Sequence, residues 1–366
     1  MTTHMPFDPY INEETVAEVR EHWKGPFHFG APDGIVVNVT KDDIWVREGI
    51  LPDYPNSRAP QQDFSAGQLV VPHPPTSREE IQEPFVRETE IPPEQYYPEG
   101  ERIISDDLAQ RILPVGFRAE VRLIGRFRNW IIRQSEDKVP GLWAGIMGRK
   151  RYIDDIIAEA VGSGIEAVVN LGAGFDTRAY RLPALADVPV WEVDQQQNID
   201  AKRSRLEKLF DEVPPHVALV PIDFDHEDLP AVLATHGYKP GKSTFFIWEG
   251  VIQYLSESGV RSTLASLADA PAGSRLVFTY TPRDFIEGEN FYGQEYLYKK
   301  MLLRDKIWLF GLDPENVDDF VGEYGWHVLD HLDYEQLADR YVKPTGRKLR
   351  SMAIERIVYA EKSTPR

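Results

Sequence analysis

From residue 105 onward the apolar positions fall first into helical and then into strand spacing. Leu108, Ile112, Val115, Val121, Ile124, Phe127 and Ile131 return at helical intervals, and a second helix is predicted over 151–161. That helix leads directly into Ala167-Val168-Val169-Asn170-Leu171, a nearly unbroken apolar run that predicts a buried strand. Beyond it the pattern alternates, with strands predicted near 188–193, 217–222, 244–248 and 275–281 and helices near 198–210, 257–269, 290–304 and 314–324. The run ends with 326–329 and the alternating Met352, Ile354, Arg356, Val358 and Ala360. Such alternation predicts an α/β fold, a doubly wound and mostly parallel sheet covered by helices on both faces, with the last strand adding antiparallel at the edge.

Upstream the pattern is different. Ten prolines lie between Pro52 and Pro98, so this stretch holds neither long helices nor central strands. Before it, Ile11, Val16, Val19 and Trp23 have weak helical spacing, and 35–39 with 44–46 reads as a short hairpin. The chain is therefore divided into a proline-rich N-terminal extension, 1–104, and a catalytic domain, 105–366, with a late helical insertion near 284–325. The extension carries many aromatics, among them Phe27, Phe29, Trp45, Tyr54, Phe64 and Tyr96, which favour its being ordered and packing over the active site.

Charge and composition narrow the partners. Against 41 basic residues stand 59 acidic ones, a net charge of −18, so no basic face is available for nucleic acid. There is no cysteine, which excludes disulfides, thiolate nucleophiles and cysteine-ligated metal sites. The histidines show no ligand spacing, so no metal is expected. No apolar run reaches the roughly 18 residues of a membrane span, and no leader opens the chain, so a cytoplasmic protein is expected.

The chemistry-bearing residues fall at predicted strand ends, where a doubly wound sheet binds its ligands. The first strand ends in Asn170 and a turn through Gly172 and Gly174, the second in Glu192-Val193-Asp194, the third in Asp223-Phe224, and the fourth in Glu249-Gly250. Glycine lets the backbone turn sharply and approach a ligand, and an acid at the end of the second strand can accept both hydroxyls of a ribose. A dinucleotide site would place a third glycine where Thr177 stands, and Asp176 puts negative charge where pyrophosphate would lie. These departures disfavour NAD and suit a cofactor with a ribose, an adenine and a cationic centre, S-adenosyl-L-methionine. Asp223 and Phe224 would then meet the adenine.

The block Asn170-Leu171-Gly172-Ala173-Gly174-Phe175-Asp176-Thr177-Arg178-Ala179-Tyr180-Arg181-Leu182 resembles the leucine carboxyl methyltransferase family. So do Glu192-Val193-Asp194 and Glu249-Gly250-Val251-Ile252-Gln253-Tyr254-Leu255, and 148–155 is similar to that family's arginine-bearing helix. The resemblance covers about 105–360. It implies a seven-stranded, Rossmann-like class I methyltransferase domain. It also implies Arg149 or Arg151 on the cofactor carboxylate, Gly172 and Gly174 along the methionyl backbone, Asp194 at the ribose, Asp223 and Phe224 at the adenine, and Glu249 near the amino group. Gln195 and Gln196 depart from the proline that relatives often carry after the ribose acid, which bears on the shape of that loop.

Methyl transfer from a sulfonium to oxygen needs orientation in a dry pocket more than a strong base, except where the acceptor is a phenol or alcohol. Tyr254, Tyr280 and Arg283 are the first candidates for the acceptor side, with Asn290, Tyr292 and Arg347 beside them. The expected function is an S-adenosylmethionine-dependent O-methyltransferase acting on a carboxylate or hydroxyl of a small molecule, probed against two alternatives. One is a nicotinamide-dependent oxidoreductase and the other a non-catalytic cofactor-binding regulator. No membrane partner is expected, and a homodimer is left open.

Overall fold

The computed structural model describes residues 27–30, 36–39, 99–112, 136–224, 226–347, 349 and 352–364. The proline-rich stretch, the proposed strand at 44–46 and the helical pattern from Val115 to Ile131 lie outside the described residues, as does the packing of the extension. The chain divides into two compact units. In the first, β1 (Phe27–Gly30) and β2 (Val36–Val39) pair antiparallel, with Phe27 opposite Val39 and Gly30 opposite Val36. The strand expected at 35–39 thus exists, and its partner among the described residues is β1; the expected partner at 44–46 lies outside them.

The second unit is built on seven strands: β3 (Ala167–Leu171), β4 (Val190–Asp194), β5 (Val217–Pro221), β6 (Thr244–Trp248), β7 (Arg275–Tyr280), β8 (Trp326–Asp333) and β9 (Arg356–Lys362). They lie in the order β5-β4-β3-β6-β7-β9-β8. From β3 the chain first steps outward through β4 to β5, then returns to β6 on the other flank, so strand order reverses at β3. Strands β3 to β7 are mutually parallel, and β9 runs antiparallel between β7 and β8. The last strand is therefore antiparallel as its pattern predicts, but interior, and β8 forms the edge. Strands buried on both faces read as continuous apolar sequence because neither side meets water, and all five residues of β3, β4 and β6 are buried.

The helices used below are α1 (Asp107–Ile112), α2 (Leu142–Gly162), α3 (Arg178–Arg181), α4 (Gln196–Phe210), α5 (Leu229–Thr235), α6 (Glu257–Ser266), α7 (Val317–Gly322) and α8 (Tyr334–Leu337). Alternate strand residues, Val169, Leu171, Trp191, Val193, Phe246, Trp248, Leu276 and Phe278, join one apolar cluster. Leu229 and Leu233 of α5, Val260 and Leu264 of α6, and Val317 and Val321 of α7 complete it. Helix α4 reaches the opposite face, where Lys202 pairs with Glu192 Oε2 at 2.7 Å and both side chains are sealed from water. Period-two alternation sends Glu192 away from Trp191 and Val193, and this is why a charge sits in the middle of an apolar strand.

Helix α2 begins at Leu142 rather than at 151. Gly145 and Gly148 lower its apparent helical propensity, yet a Cβ on Gly145 would lie 3.2 Å from the Tyr334 ring and one on Gly148 3.4 Å from Leu337 Cβ. The glycines are where α8 lies against α2. Helix α5 starts at Asp228, whose Oδ2 accepts from Ala231 N at 3.0 Å.

Gly172 is required twice over: its φ is +71°, and a Cβ there would stand 2.4 Å from Val251 Cγ2. Left-handed backbone costs a side-chain-bearing residue roughly 1–2 kcal/mol, and forced overpacking adds about 1–3 kcal/mol. Gly172→Ala is expected to lower stability by about 2–5 kcal/mol, read as a lower urea midpoint with an unchanged slope; an unaltered midpoint would contradict this close approach.

Candidate active site

The crevice at the strand-order reversal is bounded by the turn after β3, the end of β4 and the exit of β6. The turn is tied to β4: Gly172 N and Ala173 N donate to Val193 O at 2.8 and 3.0 Å, and Gly174 N donates to Asp194 Oδ2 at 2.6 Å. Asp194 Oδ1 accepts from Gln195 N at 2.7 Å and from Asn198 Nδ2 at 2.8 Å. A carboxylate offers about four lone-pair sites, so Oδ2 retains one. Gly174 has φ +43°, and a Cβ there would meet nothing within 4 Å, so that side of the turn is open. Beyond β5, Asp223 pairs with His226 Nδ1 at 2.8 Å with over half its side chain exposed, and Phe224 leans half-buried on the apolar cluster.

Behind the turn lies a buried array of charges. Arg178, 2% exposed at the start of α3, donates from Nε to Asp154 Oδ1 at 2.8 Å. Its Nη1 reaches Asp176 Oδ2 at 2.5 Å and Glu249 Oε2 at 2.6 Å, and Nη2 reaches Lys150 O at 3.4 Å. Asp176 also accepts from Arg178 N at 2.7 Å and from Asn170 Nδ2 at 3.1 Å, so Asn170 serves the turn's geometry. Glu249 gives its other oxygen to Arg149 Nε at 2.7 Å. Arg149 Nη1 in turn holds Glu355 Oε1 at 2.6 Å and lies 3.3 Å from the Tyr334 hydroxyl, which itself donates to Glu355. Arg181 clasps Asp154 with two bonds of 2.7 and 2.9 Å.

Arg149 Nη2 has no hydrogen-bond partner among the described residues, and it would be the nearest atom, at 3.8 Å, to a Cβ on Gly250. A guanidinium edge is thus left facing the exit of β6. Of the two arginines read from the sequence, Arg149 turns inward, while Arg151 pairs with Asp155 at 2.9 Å on the half-exposed side of α2. The charge array sets its own protonation. Burial by itself would push the Glu249 carboxyl up, but Arg178, Arg149 and Lys150 outweigh it and hold the group down to about 2. For Asp176, burial is likewise opposed by Arg178 and Lys202, and its carboxyl lies well below the usual range.

The acceptor-side candidates are dispersed. Tyr254, after the exit of β6, is half-buried with its ring edge-on to Trp308, centroids 6.1 Å apart. Tyr280 is sealed from solvent, its hydroxyl 2.8 Å from His331 Nε2, which joins β7 to the edge strand and closes this residue to an acceptor. Arg283 is engaged by Asp313 at 3.0 Å. Tyr292, at φ +50°, donates to Asp284 Oδ2 at 2.5 Å, and Asn290 Oδ1 accepts from Tyr292 N. Arg347 lies in the turn after 343–345.

Sequence reasoning missed Arg178, Asp154, Tyr334 and Glu355. Arg178 stood inside the most specific motif, but a charged side chain there reads as solvated. Asp154 follows Arg149 by five positions on one helix, a spacing that does not announce two members of one charge array, and nothing near Glu355 in the sequence points to Arg149. Among the described residues no three His, Asp or Glu side chains are grouped as metal ligands, and no described helix is long and apolar enough to cross a membrane.

The chain is similar to several known proteins. The profile of the leucine carboxyl methyltransferase family matches residues 94–268. A protein of Mycobacteroides abscessus named as an S-adenosyl-L-methionine-dependent methyltransferase is 30% identical over 226 residues, covering 60% of this chain and 73% of that one. A similarly named protein of Mycolicibacterium gilvum is 31% identical over 197 residues, covering 50% of this chain and 62% of that one, so the chain spans under two thirds of this relative. Among solved structures, an O-methyltransferase family protein from Burkholderia thailandensis aligns with a TM-score of 0.41 at 12% identity, covering 62% of this chain and 60% of that one.

Because the Glu249 carboxyl is held at about 2 against an ordinary 4.5, its contribution to stability is present above pH 4.5 and lost as pH falls toward 2. Glu249→Gln is expected to cost about 3 kcal/mol at pH 7 by removing one carboxylate charge from each of two buried guanidiniums, and to cost less at pH 3. Urea unfolding at pH 7, 5, 4 and 3 checks this; parallel pH profiles for both proteins would refute it.

Proposed function

This chain belongs to the leucine carboxyl methyltransferase family, and we propose that it transfers a methyl group from S-adenosyl-L-methionine to a carboxylate or hydroxyl oxygen of a small molecule, in secondary metabolism. The observation that carries the cofactor reading is the Arg149 Nη2 edge beside Gly250, without a partner among the described residues, together with the open side of Gly174 and the spare lone pair of Asp194 at the neighbouring strand ends. Together these are a cation for a carboxylate, backbone without side chains, and an acceptor for a hydroxyl. They are what an amino acid joined to a nucleoside presents.

In this reading Arg149 holds the methionyl carboxylate, and Gly172 and Gly174 let the chain pass close. Glu249, kept ionised by its two arginines, accepts from the ammonium through lone pairs that Arg149 and Arg178 leave free. Asp194 takes a ribose hydroxyl through its remaining Oδ2 lone pair, and Asp223 with Phe224 meets the adenine. The bound cofactor supplies an electrophilic methyl group on a sulfonium. The chain's part is then to orient the two reactants and exclude water, which can supply about 7–11 kcal/mol of a barrier. On the acceptor side, Tyr254 and Trp308 are favoured as wall residues over Tyr280, whose hydroxyl is committed to His331. The lack of cysteine fits a reducing, cytosolic setting.

Titration calorimetry with S-adenosylmethionine, S-adenosylhomocysteine and NADH tests the reading: the first two are expected to bind and NADH not to, and a tight NADH complex without the others would sink it. Asp194→Ala is expected to weaken S-adenosylhomocysteine by about 1–3 kcal/mol by leaving a ribose hydroxyl unpaired. Incubation of candidate acids and phenols with methyl-labelled cofactor should yield a product heavier by one labelled methyl.

A further inference from the structure

We propose that Arg178 is a positioning residue for recognition of the amino-acid end of the cofactor, acting through Glu249 to aim the free edge of Arg149. The proposal rests on the cofactor reading above.

Three segments distant in sequence converge on this one guanidinium: α2 through Asp154 and Lys150 O, the glycine turn through Asp176, and the exit of β6 through Glu249. The Nη1 atom alone bridges the last two, at 2.5 and 2.6 Å. Glu249 has its two oxygens on different arginines, Oε2 on Arg178 and Oε1 on Arg149 Nε. A carboxylate is planar and rigid, so fixing Oε2 fixes the direction from which Oε1 meets Arg149. The Arg149 guanidinium is planar as well. With Nε on Glu249 and Nη1 on Glu355, its orientation is set, and the remaining Nη2 can point in only one direction, toward Gly250.

Arg178 is 2% exposed and each of its nitrogens bonds a group of the protein, so it is closed to direct contact with a ligand. Its influence must pass through what it holds. Lysine cannot replace it: an ammonium is a point charge with three donors and does not span three carboxylates in the planar fork that guanidinium provides. The effect should fall on ligands that carry the amino-acid moiety and spare those that carry only the thioadenosine part. That part is reached from Asp194, which is held by Gly174, Gln195 and Asn198 and not by Arg178.

The test is calorimetry on the full chain with two probes, S-adenosylhomocysteine and 5′-methylthioadenosine, which lacks the amino-acid end. Arg178→Lys is expected to weaken S-adenosylhomocysteine at least tenfold while leaving 5′-methylthioadenosine within twofold. Equal weakening of both would make Arg178 a general support of the fold, and no change in either would remove it from recognition; each outcome overturns the proposal. If Arg178→Lys does not melt as a folded protein, Asp176→Asn, which removes the charge of one Nη1 anchor at nearly constant volume, is expected to show the same selectivity, and its failure to do so is equally decisive. If the unaltered chain binds neither probe, the cofactor reading itself falls, and this proposal with it.

Discussion

The structure around the crevice depends on complete pairing of buried charge. An isolated ion taken out of water costs several kcal/mol, and the loss of one partner from a buried pair costs about 3–5 kcal/mol because the other is stranded. Arg149, Arg178 and Arg181 are all nearly sealed, and each is met by two or more carboxylates. These pairings join α2, the turn after β3, the exit of β6 and the segment before β9. Apolar packing holds the sheet to its helices but is indifferent to small slips, whereas a forked hydrogen bond is not. The array therefore fixes the geometry that the apolar cluster leaves loose.

Strand order gives that array its place. At β3 the chain leaves the sheet centre in one direction and comes back in the other, so the segments leaving β3 and β6 must diverge and a cleft opens between them. The turn fills the floor of the cleft with backbone, because Gly172 has no room for a side chain and Gly174 has room that it leaves vacant. One glycine answers to the protein's own packing and the other to whatever lies above it.

Most of the sheet was legible from the chain. Strands β3 and β6 and the parallel order follow from five-residue apolar runs, because burial on both faces leaves no alternative composition. The strand ends were legible too, since glycine and acid at a strand terminus have few structural uses. What was hidden was relational. Helix α2 was shortened by glycines whose purpose is contact with α8, and the interior position of β9 depends on pairing with both β7 and β8. The partners of Arg149 lie 100 and 206 positions away, and no local spacing encodes them. A buried arginine and an exposed one look alike in a sequence, which is why Arg149 and Arg151 could not be told apart there.

The position of β9 ties the readiness of the crevice to the timing of folding. This strand pairs Leu276 with Ala360 and Tyr280 with Arg356, residues roughly eighty apart, and the edge strand β8 has no other neighbour in the sheet. Strand β9 is the last of the described strands in chain order, so during synthesis β3 to β7 are available to pair before it. Glu355 is carried at the threshold of that strand and meets Arg149 only when the strand is seated. Until then the guanidinium lacks one of the two carboxylates that orient it. A nascent chain in which β3 to β7 have already assembled would hold a formed glycine turn beside an arginine not yet aimed, so ligand competence arrives with the last long-range pairing rather than with the core.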